Sequence, residues 1–126
     1  MAVGNPVIDA QHRHIIDLIN ALHAAADGEG LETADTLIRH IERFLRHHFE
    51  TEETLFNKIP YEQTADHRAE HQRLLDQVGQ VALDAERTGR NKTDLYARQL
   101  WSLIHDHTVL WDRSYIPALH SWQGQI

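Results

Sequence analysis

Apolar residues along this chain recur at three- and four-residue intervals in four stretches separated by glycine or proline, the pattern of amphipathic helices rather than of strands. The first stretch runs from about Asp9 to Asp27. Its stripe of Ile15, Ile16, Ile19 and Leu22 is in phase with His12, and Gly28 and Gly30 end it. The second runs from Thr33, a candidate N-cap, to Asn57, where Leu37, Ile38, Ile41, Phe44 and Leu45 lead in phase to His48, Glu52 and Leu55 before Pro60 closes the segment. The third, from about Glu62 to Arg87, sets His67, His71, Leu74, Val78 and Val81 on one side, tolerates Gly79 and stops at Gly89. The fourth starts near Thr93, carries Leu100, Leu103, Ile104, His107, Leu110 and Trp111 on one side, and ends or kinks at Pro117.

Four such helices with short connections predict an all-α fold, an antiparallel up-down-up-down four-helix bundle. No alternating strand pattern, internal repeat or low-complexity linker is visible, and 126 residues suit one domain over 1–126. A net charge of −7 argues against nucleic acid or an anionic membrane surface as a partner. No apolar run approaches the roughly 20 residues of a membrane span. The start, MAVGNPVIDAQH, lacks the basic and apolar regions of a signal peptide, so the expectation is a cytoplasmic protein without membrane insertion.

The polar residues inside the apolar stripes carry the candidate chemistry. His12, His48 with Glu52, His67 with His71, and His107 with Asp112 stand on four separate predicted helices. Both His48/Glu52 and His67/His71 have the i, i+4 spacing that places two side chains on one face, a turn apart. Imidazole with carboxylate suits borderline first-row metals such as iron, zinc, copper or nickel, and the absence of cysteine excludes thiolate sites and iron–sulfur clusters. A single histidine on an apolar face is more often a hydrogen-bonded core residue than a ligand. Five in phase would leave several costly buried polar groups without partners, which favours metal.

The remaining histidines, His14, His23, His40, His47, His105 and His120, fall by default to the surface. His47 and His105 are also candidates to hold the outer N–H of a metal-bound imidazole. Gln11, Glu53 and Glu70 adjoin candidate ligands in sequence, but neighbours on a helix diverge, so the two acids are expected on a solvated face. Trp101, Trp111, Tyr115 and Trp122 read as packing residues, and Tyr96 and Trp122 equally suit an oligomer contact.

Over nearly its whole length the chain resembles the hemerythrins, in particular the single-domain bacterial hemerythrins. Ile8-Asp9-Ala10-Gln11-His12 looks like the family's I-D-x-Q-H, and His48-Phe49-Glu50-Thr51-Glu52-Glu53 like its H-F-x-x-E-E. His67-Arg68-Ala69-Glu70-His71 matches H-x-x-E-H, and His107 to Asp112, Tyr115 and Leu119 resembles the closing H-x-x-x-x-D-x-x-Y-x-x-x-L. There are departures. The tryptophan that the family often has four residues before the last-helix ligand stands here, as Trp101, four before His105, whereas the apolar stripe and the spacing to Asp112 and Tyr115 favour His107. The family's Tyr-Pro before the third helix appears as Pro60-Tyr61.

The resemblance implies two iron ions in an oxo- or hydroxo-bridged centre. His67, His71 and His107 would hold one iron, His12 and His48 the other, with Glu52 and Asp112 bridging and an open position on the second iron. It also implies reversible binding of dioxygen for storage, delivery or sensing, with diferrous iron and O2 giving a diferric hydroperoxide, and no enzymatic role. Ile104 and Trp111 are candidate walls of a dry pocket for dioxygen. The alternatives are a diiron enzyme acting on peroxide or nitric oxide, and a metal store. The expected assembly is a monomer or weak oligomer, with a redox or delivery partner of unspecified identity.

Overall fold

The computed structural model describes residues 3–26, 34–88 and 92–123, and these form helices with no strand among them. Four long helices, α1 (Pro6–Ala26), α2 (Ala34–Phe56), α3 (Thr64–Thr88) and α4 (Thr93–Leu110), are followed by a 3-10 helix, Asp112–Tyr115, and a short α5, Ile116–Gln123. Consecutive long helices pack together and α1 also packs on α4, so the four close into a ring. The candidate ligands lie near the start of α1, the end of α2, the start of α3 and the end of α4. They meet at one level only because the helices run alternately up and down, as the apolar pattern predicts. No helix among the described residues is long and apolar enough to cross a membrane.

The first helix begins three residues before the predicted start. Asn5 Oδ1 accepts the backbone N–H groups of Val7 and Ile8 at 3.0 and 3.1 Å, capping donors that have no partner within the helix. Pro6 occupies the first helical position, where its missing N–H costs nothing. Asp9 then turns its carboxylate back to the N–H groups of Val3 and Gly4, and Gly4 adopts a φ of +94° that a side chain would resist. This draws Val3 into the core. Thr33, Gly28, Gly30 and Gly89, read above as cap and stop signals, lie outside the described residues.

The fourth helix is not continuous to Pro117. It stops at Leu110, and the chain tightens into the 3-10 helix from Asp112. Pro117 sits in the first turn of α5, where proline is tolerated, and so starts a helix rather than ending one. The stripe read along α4 also needs correction at its end, since Leu110 is 71% exposed and Trp111 only half-buried.

Two apolar clusters result. The larger joins Ile15 and Ile19 of α1, Ile38 and Ile41 of α2, Leu74 and Val78 of α3, and Leu100 and Ile104 of α4. The smaller closes one end with Val3, Ile8, Leu55, Phe56, Ile59, Tyr115 and Leu119. Each buried side chain of the size of isoleucine stabilises the fold by about 1.5–3 kcal/mol. Tyr96 is buried in the larger cluster, and Trp122, partly buried, packs against the smaller. On α1, Ile8 belongs to one cluster and Ile15 to the other, with His12 between them.

Candidate metal centre

Seven polar side chains occupy the band between the two clusters: His12, His48, Glu52, His67, His71, His107 and Asp112 are all buried, none more than 4% exposed. Asp112 Oδ1 lies 3.0 Å from His107 Nε2 and 3.1 Å from His67 Nε2, while its Oδ2 lies 3.3 Å from His12 Nε2. Glu52 Oε1 lies 3.1 Å from His48 Nε2 and 3.5 Å from His71 Nε2. Each carboxylate therefore reaches both histidine sets, and the side chains divide into two overlapping groups: His67, His71, His107 and Asp112, and His12, His48, Glu52 and Asp112. Within each group the four donor atoms lie within 4.8 Å of one another.

The break after α4 is what admits Asp112. On an unbroken α-helix, residues five apart are turned by about 140° from one another, so His107 and Asp112 could not share a point. The 3-10 turn re-aims the carboxylate. It also takes Asp112 off the face that an unbroken helix would give it beside His105, seven residues earlier. His105 is exposed and stacks on Trp101 with ring centroids 5.4 Å apart, while His107 is buried in the cluster. Trp101 is itself 40% exposed, a surface residue rather than a core one.

The outer edge of the cluster is held by residues that the sequence reading assigned otherwise. His48 Nδ1 meets Gln11 Oε1 at 2.8 Å, and Gln11 in turn donates from Nε2 to Thr51 Oγ1 at 3.2 Å. His71 Nδ1 meets Glu53 Oε2 at 3.0 Å, so Glu53 is a partner of the site and not a residue of the solvated face. His67 Nδ1 meets Tyr61 Oη at 2.8 Å. With that ring donating, Tyr61 donates to Ser114 Oγ and Ser114 to the carbonyl of Trp111, a chain in which each donor finds an acceptor. The Pro60-Tyr61 turn is thus what delivers a phenol to His67. Tyr115, fully buried, donates to Glu52 Oε2 at 2.8 Å. His47 is exposed and, like His105, holds no ring of the cluster, whereas Glu70 pairs with Arg73.

Aromatic rings enclose the band. Phe49 stacks on His71 with centroids 3.9 Å apart and planes 7° from parallel, and Phe56 lies 4.7 Å from His67. Trp111 lies 5.4 Å from His67, on the side of the three-histidine group, and Ile104 is buried one turn before His107. From the sequence Phe49 enters only as part of the H-F-x-x-E-E motif, and Phe56 is not singled out.

Charge in this dry band is set by competition. Burial and the neighbouring Asp112 oppose ionisation of Glu52, but His48 and His71 outweigh them and hold its carboxyl at about 2. For Asp112, burial is likewise outweighed, by His107, His12 and His67, and its carboxyl lies well below the ordinary range. Burial lowers His67; it also opposes the charge on His71, which Glu52, Glu53 and Asp112 nevertheless raise. Burial, reinforced by Glu52 and Asp112, drives the Tyr115 hydroxyl far upwards, so it remains a donor.

Even so, Glu52 Oε1, His71 Nε2, His107 Nε2 and Asp112 Oδ2 are buried without a hydrogen bond. They belong to the residues of the two groups whose donor atoms lie within 4.8 Å of one another. Orphaned buried polar atoms are costly, and cations there would satisfy them. The donor set, five imidazoles and two carboxylates, fits such ions.

A helical bundle whose facing helices supply a buried histidine–carboxylate cluster defines a class of metal-binding four-helix proteins. The chain belongs to the hemerythrin HHE cation binding domain family, whose model matches residues 3–119. It is similar to a bacteriohemerythrin of Pseudomonas paraeruginosa, 28% identical over 126 residues, which cover 98% of this chain and 80% of that protein. It is also similar to a bacteriohemerythrin of Stenotrophomonas maltophilia, 27% identical over 123 residues with the same coverage. A bacteriohemerythrin of Methylococcus capsulatus is 40% identical over 68 residues, 53% of this chain and 51% of that one. No solved structure matches the chain.

Proposed function

We propose that this chain binds dioxygen reversibly at a pair of iron ions, as a protein of oxygen storage, delivery or sensing and not as an enzyme. The observation that carries the reading is the unequal sharing of donors: Asp112 is common to a group of three imidazoles and a group of two, and Glu52 of the second group lies 3.5 Å from His71 of the first. In this reading His67, His71 and His107 would hold one ion and His12 and His48 the other, with Glu52 and Asp112, which reach both groups, as ligands to the pair. An ion in the group with fewer imidazoles would have fewer protein ligands and so could accept a small one. Iron held there would supply the redox chemistry that reversible dioxygen uptake requires.

The chain's own residues fix the conditions for that chemistry. Gln11, Tyr61 and Glu53 orient His48, His67 and His71 by their outer nitrogens, which leaves each Nε2 aimed inward. Tyr115 keeps one oxygen of Glu52 occupied. Phe49 lies beside His48 as well as His71, while Phe56, Ile104 and Trp111 cover the three-imidazole group, an apolar surround of the kind under which release competes with irreversible oxidation.

Iron-loaded protein should develop a visible charge-transfer band under air and lose it under argon, over repeated cycles. A band that bleaches once and never returns, or steady turnover of peroxide or nitric oxide, would move the reading to a diiron enzyme.

A further inference from the structure

Three rings of the cluster are held at Nδ1 by groups of different chemistry: His48 by a neutral amide, His67 by a phenol and His71 by the carboxylate of Glu53. The only anionic partner among these three thus falls in the three-imidazole group. Glu53 is 31% exposed, and its other oxygen lies 3.6 Å from Arg68 Nε. Arg68 is anchored in turn by a 2.7 Å hydrogen bond from its guanidinium to Asn57 Oδ1. A line of interacting groups therefore runs from His71 at the centre, through Glu53, to a cation at the surface.

We propose that Glu53 is a positioning residue that sets the reduction potential of the iron pair through His71, with Arg68 tempering its charge. This rests on the reading of the cluster as an iron site but not on its taking up dioxygen. A carboxylate that accepts the outer N–H of a bound imidazole makes the ring a stronger donor. A stronger donor stabilises the more oxidised metal and so lowers the potential. Arg68 opposes this by drawing on the same carboxylate, and because it is 42% exposed, solvent weakens its effect.

The two charges act in opposite directions, which separates tuning from simple structural support. Potentiometric titration of iron-loaded protein without oxygen should give a higher midpoint for Glu53→Gln than for the wild type. Gln retains an oxygen acceptor for the ring N–H but lacks the charge. Arg68→Met should give a smaller shift downwards. Glu53→Ala, which loses the bond as well, should also weaken iron binding by roughly ten-fold or more, and Gln should restore most of that loss. An unmoved potential in Glu53→Gln, or an upward shift in Arg68→Met, would overturn the proposal while leaving oxygen binding intact. Failure of the wild-type chain to take up iron would instead overturn the reading beneath it.

Discussion

The cost of burying an imidazole sorts the histidines of this chain. His12, His48, His67, His71 and His107 are buried where their nitrogens converge, whereas His14, His47, His105 and His120 are exposed and His23 and His40 partly so. Water solvates the exposed rings, and only the buried ones need partners. His107→Ala should therefore lose metal from the three-imidazole group, and His105→Ala should leave metal content unchanged, as counted by elemental analysis of the loaded proteins. Equal loss in the two variants would contradict the assignment. Six of the seven inward residues were legible from helical phase, because the stripe that marks a core also marks what is buried with it, whereas Asp112, off that phase on a continuous helix, was legible only through the motif spacing of the resemblance. Gln11, Tyr61, Glu53 and Tyr115 were not legible as partners, since each reaches a ring or carboxylate on another helix and no spacing along one helix encodes that contact.

Helix periodicity located all four long elements, but their ends and joints follow local chemistry that apolar phase does not report. The Asn5–Pro6 cap precedes the first apolar residue of the stripe, and the break at Trp111 interrupts a pattern that reads as continuous. That break has a function, since it brings Asp112 to His107. Gly79, in the middle of α3, marks a close approach of another kind: a Cβ there would lie 3.2 Å from Glu42 Oε2. This is the free end of a flexible side chain whose other oxygen pairs with Arg39. Moving it by a few tenths of an ångström costs less than glycine costs a helix interior. Gly79→Ala should raise stability by roughly 0.5 kcal/mol in denaturant titration, the lower part of the usual alanine advantage. A loss of stability would show that Glu42 is fixed in place.

At the scale of the whole molecule, protons and metal compete for the same atoms. In the metal-free chain Glu52 and Asp112 have lowered values, so the stability they contribute is present above the ordinary carboxylate range, near pH 4, and is lost as pH falls through their folded values. His71, raised, contributes stability that is full below about pH 6.5 and lost as pH rises through its folded value; His67, lowered, acts with the opposite sign. The two histidines partly offset one another near neutrality. Metal binding adds a larger dependence, because every ligand imidazole must give up its proton. The rise in thermal midpoint on adding metal should therefore shrink steadily from about pH 8 to about pH 5. A rise that stayed constant over that range would mean that the metal binds elsewhere.

The claim beneath all of this is that seven buried side chains from four helices and a 3-10 turn make one site for two ions. An anaerobic titration with iron(II), read as bound metal per chain at equilibrium, tests it most directly. The account predicts saturation at two, with His71→Ala no longer reaching two. Saturation at one in the wild type, or two ions retained by His71→Ala, would contradict it.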